Sequence, residues 1–208
     1  MRSTIVFVIL VIVSSCTTIK SSQLKNGDLL FVSANNEGLS KAIDAVTQTK
    51  QSTHFSHIAL LEKKNNQLFV MHAGTKNGSE RISLQDFVLD EKNDKNTITV
   101  YRLKRKYQHT IKNAIEVAKT WLGKPYNYSY VLSDEKLYCS DFVQRSFAKD
   151  TVFKLNPMTF INPQTGKTDE MWIEFYKKQN IEVPEGKPGC NPNGMASSDK
   201  IKRMGILK

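Results

Sequence analysis

The sequence predicts a single α+β domain built on an antiparallel β-sheet. Residues 57–62 and 67–72 are mainly apolar segments on either side of the polar residues 63–66, which predicts a β-hairpin. Residues 111–122 place apolar side chains at helical spacing and end at Gly123, as expected of a helix that packs one face against a sheet. A chain of 208 residues is long enough to bury a substantial core in one domain.

The remaining elements follow from periodicity and end signals. The apolar run 29–32 predicts a buried strand, and the alternation at 97–102 predicts another. Ser83 is the expected N-cap of a short helix. The tail at 184–192 is rich in Pro and Gly and is predicted to be irregular. Helices are predicted at 39–46, 84–89, 140–148 and 169–178.

The first sixteen residues predict an export signal. Residues 5–13 are apolar but too few to span a bilayer, and Arg2 supplies a positive charge before them. Residues 13–16, Val-Ser-Ser-Cys, resemble the lipobox of bacterial lipoproteins, in which the cysteine is lipidated. We therefore expect a lipoprotein of the cell envelope, anchored to the membrane through Cys16 and facing the periplasm or the exterior. Residues 17–24 are then a tether, and 25–208 form the domain.

The charge of the chain does not by itself name a partner. A formal net charge of +10 suits an anionic surface or polymer, or simply a solvated face. Neither aromatic repeats nor zinc-finger spacings accompany the charge, so we expect no nucleic acid partner. The oligomeric state is left open.

Two histidines of the hairpin are predicted to stand side by side. If residues 63–66 form a symmetric loop, Glu62 pairs with Gln67, and His57 lies opposite His72 on the same face. One imidazole can then act as a base while the other orients it. A one-residue bulge would separate the two rings, and a lone histidine is more often an ordinary core residue.

Cys139 is the candidate nucleophile. It lies at the start of a predicted helix, whose unpaired N–H groups and partial positive charge favour a thiolate. Those N–H groups can also hold an oxyanion. The local sequence leaves a buried structural cysteine equally open. The other cysteine of the domain, Cys190, lies in the Pro/Gly-rich tail, and a disulfide between the two is the less favoured alternative.

Several short motifs occur in the order found in one family. The chain resembles the YiiX/YaeF-like family, circularly permuted papain-like cysteine hydrolases related to the NlpC-type cell-wall peptidases. The tail at 183–192 is also similar to that family. The motifs that carry the resemblance are at 27–31, 55–60, 70–73, 122–127 and 138–143.

The resemblance implies a permuted papain-like fold with an antiparallel, barrel-like sheet packed against helices. It implies that Cys139 is the nucleophile at a helix N-terminus and that His57 is its base. It places His72 in the orienting position, where this family often has Glu. No cofactor or metal is expected. The residues expected near the site in supporting roles are Tyr126, Asp141, Asp28 and Ser140.

These features predict a thiol hydrolase acting on an amide bond, with cell-wall peptides as the substrate suggested by family analogy. A lipid-directed acyltransferase or thioesterase is the second interpretation. The third is a binding module or a metal site built from Cys139, His57, His72 and His54, although the ligand spacings typical of structural zinc are missing.

Overall fold

The computed structural model describes residues 17–35 and 37–208, so the predicted signal segment and Cys16 lie outside the described residues. The described chain has the α+β architecture predicted from the sequence. Its strands are β1 (Thr18–Ile19), β2 (Leu29–Ser33), β3 (Phe55–Lys64), β4 (Gln67–Gly74), β5 (Gly78–Ser83), β6 (Ile98–Leu103), β7 (Asn156–Pro157), β8 (Pro188–Gly189) and β9 (Ile201–Leu207). Its α-helices are α1 (Gly38–Val46), α2 (Leu84–Asn93), α3 (Ile111–Thr120), α4 (Cys139–Ser146), α5 (Glu170–Lys178) and α6 (Pro192–Ala196).

Seven strands form the main sheet in the order β1-β9-β6-β2-β3-β4-β5, and β7 pairs separately with β8. All neighbours in the main sheet are antiparallel except β1 and β9, which are parallel. None of the helices in the described ranges combines the length and apolar character that a membrane span requires.

The turn between β3 and β4 is shorter than the sequence suggested. Asn65 and Asn66 both adopt positive φ, 50° and 61°, as in a two-residue type I′ turn. Lys64 therefore pairs with Gln67, and the predicted register was wrong by two residues. Because side chains alternate with a period of two, this shift leaves every residue on its predicted face. His57 and His72 become diagonal neighbours instead of a directly opposed pair.

Residues 17–24 belong to the domain, which corrects their prediction as a tether. Thr18 and Ile19 pair with the last strand, β9, and both Ile19 and Leu24 are buried. β9 in turn pairs with β6 near the middle of the sheet. The two ends of the described chain are thus joined in one sheet, an arrangement that local patterning in a two-residue strand cannot reveal.

The two faces of the sheet carry separate cores. Ile58 and Leu60 of β3 pack into the core that includes α3 and α4. Ala59 and Leu61, which alternate with them, pack into the second core, closed by Phe87 of α2. The nucleophile candidate on α4 and the histidines of β3 and β4 therefore approach the sheet from different sides.

Asp28 stabilises the start of β2 instead of contributing to the site. Its carboxylate is fully buried and accepts hydrogen bonds from Arg102 Nε at 2.6 Å and Nη2 at 2.7 Å. The backbone N–H of Lys25 donates to it at 2.8 Å. Two charge-assisted bonds and one backbone bond satisfy the buried group, and Asp28 lines neither depression of the candidate site.

Candidate active site

Cys139 is the first residue of α4, directly after Tyr138, whose extended backbone ends the preceding loop. Its thiol is almost buried, with 5% of the residue exposed, and donates weakly to the Ser56 carbonyl at 3.9 Å. Burial raises the pKa of the Cys139 thiol to about 11, although backbone hydrogen bonds from Ile58 and Ser140 lower it. Burial outweighs the helix terminus here, which favours a neutral Cys139 thiol at rest.

The two histidines form a hydrogen-bonded pair. His57 Nε2 lies 2.9 Å from His72 Nδ1, and the planes of the two rings are nearly perpendicular at 87°. His72 Nε2 in turn faces Glu80 Oε1 of β5 at 3.5 Å. One set of tautomers fits this geometry: the His72 Nε2–H faces the carboxylate, and the His57 Nε2–H donates to His72. His57 Nδ1 is then left as a free acceptor, as a general base requires.

Glu80 is a member of the site that the sequence analysis missed. It lies on β5, a strand that was not predicted because Gly78 and the charged residues after it hide the alternation. The strand pairing aligns Glu80 with His72. The predicted pair of imidazoles is therefore followed by a carboxylate, which can stabilise positive charge on the histidines.

Both imidazoles are neutral at rest. Burial, followed by the neighbouring His72, lowers the pKa of His57 well below its usual range. Burial lowers the pKa of His72 to about 4, although the Asp90 carboxylate raises it. The Asp90 carboxylate thus does not overcome the cost of burying a charged His72 ring.

The low pKa of His72 predicts a loss of stability in acid. Below about pH 6.5 the unfolded chain takes up a proton at His72 that the folded chain does not, so folding stability falls until about pH 4. The full effect is on the order of 3 kcal/mol. We expect His72→Gln to unfold in urea with a shallower decline between pH 6.5 and 4 than the wild-type chain. Parallel declines in the two proteins would contradict this origin.

Cys139 and His57 are neighbours through the backbone of β3. The Cys139 thiol contacts the strand at Ser56 and Ile58, on either side of His57. In the described ranges the hydrogen bonds of Cys139 and His57 run to other groups, and none joins the two side chains. A hydrogen bond between the Cys139 thiol and His57 would therefore require the thiol to leave the Ser56 carbonyl.

Two depressions lie at the candidate site, one lined by Cys139 and the other by His57 and His72. Both are bordered by Ser56, Tyr126 and Ile43. The first, called here the apolar cavity, has a volume of about 640 Å3 including its mouth. Its wall includes Cys139, Tyr130, Tyr138, Met158, Phe160 and Trp172. The second, the acidic groove, measures about 1380 Å3 including open solvent. Its wall includes His57, His72, Glu80, Asp90, Glu91 and Asp94.

Of the predicted supporting residues, Tyr126 and Ser140 lie at the site and Asp141 does not. Burial, together with Tyr130 and Cys139, raises the pKa of Tyr126 well above its usual value, so its hydroxyl is a donor. Ser140 lines the apolar cavity and donates to the Cys190 carbonyl at 3.0 Å. Asp141 points away from both depressions towards Arg145 Nε at 2.7 Å. Burial raises the pKa of Asp141 to about 6 despite Arg145.

The alternative metal site is not assembled. His54 is directed to Asp44, at 2.8 Å, and its side chain is 64% exposed. No cluster of three or more His, Cys, Asp or Glu side chains that could hold a metal ion occurs among residues 17–35 and 37–208. Cys139 and Cys190 are both free thiols.

Comparison with known proteins identifies the family. The family model described as permuted papain-like amidase enzyme, YaeF/YiiX, C92 family, matches residues 23–205. The chain belongs to this family. Members of the C92 family are cysteine-type hydrolases, which establishes the chain as an enzyme of the amidase and peptidase type.

A solved structure shares the fold of this C92 member. The crystal structure of metalloprotein yiiX from Escherichia coli O157:H7 is similar with a TM-score of 0.70 and 21% sequence identity, covering 87% of this chain and 96% of that chain. This confirms the predicted permuted papain-like fold. No curated protein sequence matches the chain.

Proposed function

We propose that this protein is a thiol amidase in which Cys139 is the nucleophile, His57 the general base and acid, and His72 the residue that orients His57. The observation that carries the proposal is the 2.9 Å bond between His57 and His72. It occupies one nitrogen of His57 and leaves Nδ1 free, at the strand position beside which the Cys139 thiol lies.

The reaction follows in two steps. His57 Nδ1 takes the thiol proton as the sulfur attacks the substrate carbonyl, and the C–N bond breaks as His57 returns that proton to the leaving amine. Water, activated by the same nitrogen, then hydrolyses the thioester and releases the acid. In this proposal the backbone N–H groups at the start of α4 stabilise the oxyanion that forms in each step, because Cys139 is the first residue of that helix.

The pKa values require proton transfer and attack to occur together. At rest the thiol pKa is about 11 and that of His57 is well below its usual range, so a free thiolate–imidazolium pair is disfavoured. Cationic charge on His57 is supported through His72 by Glu80, which lies 3.5 Å from His72 Nε2. The carboxylate thus acts one residue further from the reacting atoms than in a Cys-His-Asp arrangement.

The proposal predicts an acyl-enzyme on Cys139. Rapid acid quenching during turnover of an activated ester should trap a thioester, and mass spectrometry of peptides should place it on Cys139. Cys190 lines the same cavity and serves as an internal comparison, because both thiols are free and buried. Acylation of Cys190 alone, or turnover with no acylated cysteine, would contradict the proposal that Cys139 is the nucleophile.

We further propose that the enzyme works at the cell envelope, attached through lipid on Cys16. The support is the apolar run at 5–13 followed by Val-Ser-Ser-Cys at 13–16. Amide bonds of the cell wall or of lipids are the substrates that such a location offers. Wild-type protein should partition into a detergent phase and Cys16→Ser should not; equal partition of the two would refute the anchor.

A further inference from the structure

We propose that an exposed apolar depression beside α2 is a membrane-contact face, with which the domain docks onto a phospholipid bilayer of net negative charge. The face lies at the second core, which Phe87 of α2 closes, whereas Cys139 packs into the core that includes α3 and α4. The inference goes beyond the proposed function, because it concerns how the domain sits on a membrane and not the reaction that it performs.

The depression, called here the α2 depression, lies where the second core is incompletely covered. It measures about 1320 Å3 including open solvent. Three of its residues, Leu68, Val88 and Leu207, pack against the second core but are only partly buried. The apolar side chains of its wall are Leu68, Phe69, Leu84, Val88, Leu89 and Leu207. The edge of this core is therefore left open to a partner.

Helix α2 presents one stripe of side chains to the α2 depression. Gln85, Val88, Leu89 and Lys92 follow the i, i+3, i+4, i+7 spacing of a single helix face, and all four line the wall. Leu89 is 56% exposed, and no other large apolar side chain within residues 17–35 and 37–208 is as exposed. One exposed leucine is ordinary, but this one continues an apolar patch. An apolar stripe that ends in a lysine is typical of a helix lying in the plane of a membrane surface.

The charges around the α2 depression are positive. Lys92 and Lys208 are in its wall, and none of the carboxylate side chains of α2 is. Lys63 is exposed and pairs with Leu68 across β3 and β4, so it points to the same face of the sheet. Lysines next to a bilayer are attracted by anionic headgroups. The apolar wall and its basic margin together fit an anionic lipid surface.

Both ends of the described chain border the α2 depression. Ser21, which follows β1, and Leu207 of β9 line its wall. The Lys208 N–H donates to the Ile19 carbonyl at 3.0 Å, which joins the two ends. Cys16, where lipid is proposed to be attached, precedes Ile19 by three residues, about 10 Å of fully extended chain. Lipid at that position would hold the α2 depression beside the bilayer.

The test uses the full-length chain and its variants Leu89→Trp and Ile173→Trp, mixed with vesicles whose acyl chains carry bromine, a quencher of tryptophan emission. The vesicles are phosphatidylcholine with or without about one third phosphatidylglycerol. Flotation isolates the bound protein, so the readout concerns bound molecules alone. In anionic vesicles, Leu89→Trp should lose emission and shift to shorter wavelength relative to the wild-type chain. Ile173, 47% exposed on α5, borders none of the three depressions, and its variant should behave like the wild type.

Charge-neutral variants test the basic margin. In the Leu89→Trp chain, Lys92→Gln and Lys208→Gln should each lower the ratio of quenched to unquenched emission about fivefold in anionic vesicles. Lys177→Gln with Lys178→Gln removes the same charge from exposed positions of α5 and should leave that ratio unchanged. Equal midpoints of urea unfolding would show that all of these variants remain folded.

Each outcome decides between the membrane and another explanation. Bound protein with no quenching at position 89, or with equal quenching at positions 89 and 173, would overturn the inference. Equal quenching with and without phosphatidylglycerol, or an equal effect of the α5 lysines, would overturn the role of charge. A dimer in sedimentation that Leu89→Ser dissociates would assign the face to a second copy of the chain and not to lipid.

The result is independent of the reaction. Loss of the amidase proposal, through turnover with no acylated Cys139, would leave the quenching at position 89 unchanged. Failure of the wild-type chain to float with any vesicle would overturn both the anchor at Cys16 and the membrane-contact face. Flotation without quenching at position 89 would overturn the face alone.

Discussion

Replacing Cys139 by alanine should lower kcat/KM for amide hydrolysis by about 10⁴-fold or more, because the proposed nucleophile is then absent and no thioester can form at position 139. The loss of a single sulfur atom at the edge of a cavity should cost less than about 2 kcal/mol of unfolding free energy. His57→Ala should reduce activity to a similar extent, and the double variant should lose little more than the worse single one, since the two residues act as a unit. Steady-state kinetics of amide hydrolysis provide the measurement.

Ser146→Ala is the matched control for this series. Ser146 is buried on the same helix as Cys139 and donates to the Phe142 carbonyl at 2.7 Å, but it borders neither depression. Its replacement should change stability while activity stays within about twofold of wild type. A Cys139→Ala enzyme that keeps a tenth or more of the wild-type rate would show that another residue performs the attack.

Replacing Arg102 by alanine should destabilise the fold by about 3–5 kcal/mol, because it leaves the carboxylate of Asp28 buried and unpaired. Asp28 has no exposed surface, and Arg102 Nε lies 2.6 Å from it. Urea unfolding followed by circular dichroism gives the free energy directly. Adding Asp28→Asn to Arg102→Ala should recover part of the loss, since a neutral amide is less costly to bury than a charge.

Arg81→Ala provides the comparison. Arg81 also forms a short ion pair with a buried carboxylate, that of Glu62, at 2.6 Å. Lys119 contacts the same carboxylate at 2.9 Å and remains when Arg81 is removed. We expect less than half of the loss seen at Arg102, and equal losses would mean that unpaired charge is not the cause.

The sequence was sufficient for features set by local periodicity. The helices at α1, α3 and α5 and the strands β2, β3, β4 and β6 lie where alternation and end signals predicted them, and Ser83 accepts the predicted capping bond from the Asp86 backbone. β1 and β9 were missed because their pairing is long-range: Thr18 pairs with Ile206. Hydrophobic patterning carries little information about such distant partners.

The candidate site was predictable to a similar degree. His57 and His72 were expected on one face, and their rings are in contact although the turn differs from the predicted one. Asp28 and Asp141 were placed near the site from resemblance alone, yet each carboxylate is paired with an arginine elsewhere. Phe160 and Trp172, the latter on α5, reach the cavity only through tertiary packing, which no local signal describes.

The pairing of β1 with β9 limits how far the enzyme can reach. If lipid is attached at Cys16, only Thr17 separates that residue from Thr18, the first residue of β1, and the two positions are about 7 Å apart even when the chain is fully extended. Thr18 is fixed in the sheet by its pairing with Ile206. An anchored molecule would therefore stay at the membrane surface, because the connection is too short for the domain to move away from it. It would meet most readily those substrates that are embedded in that surface.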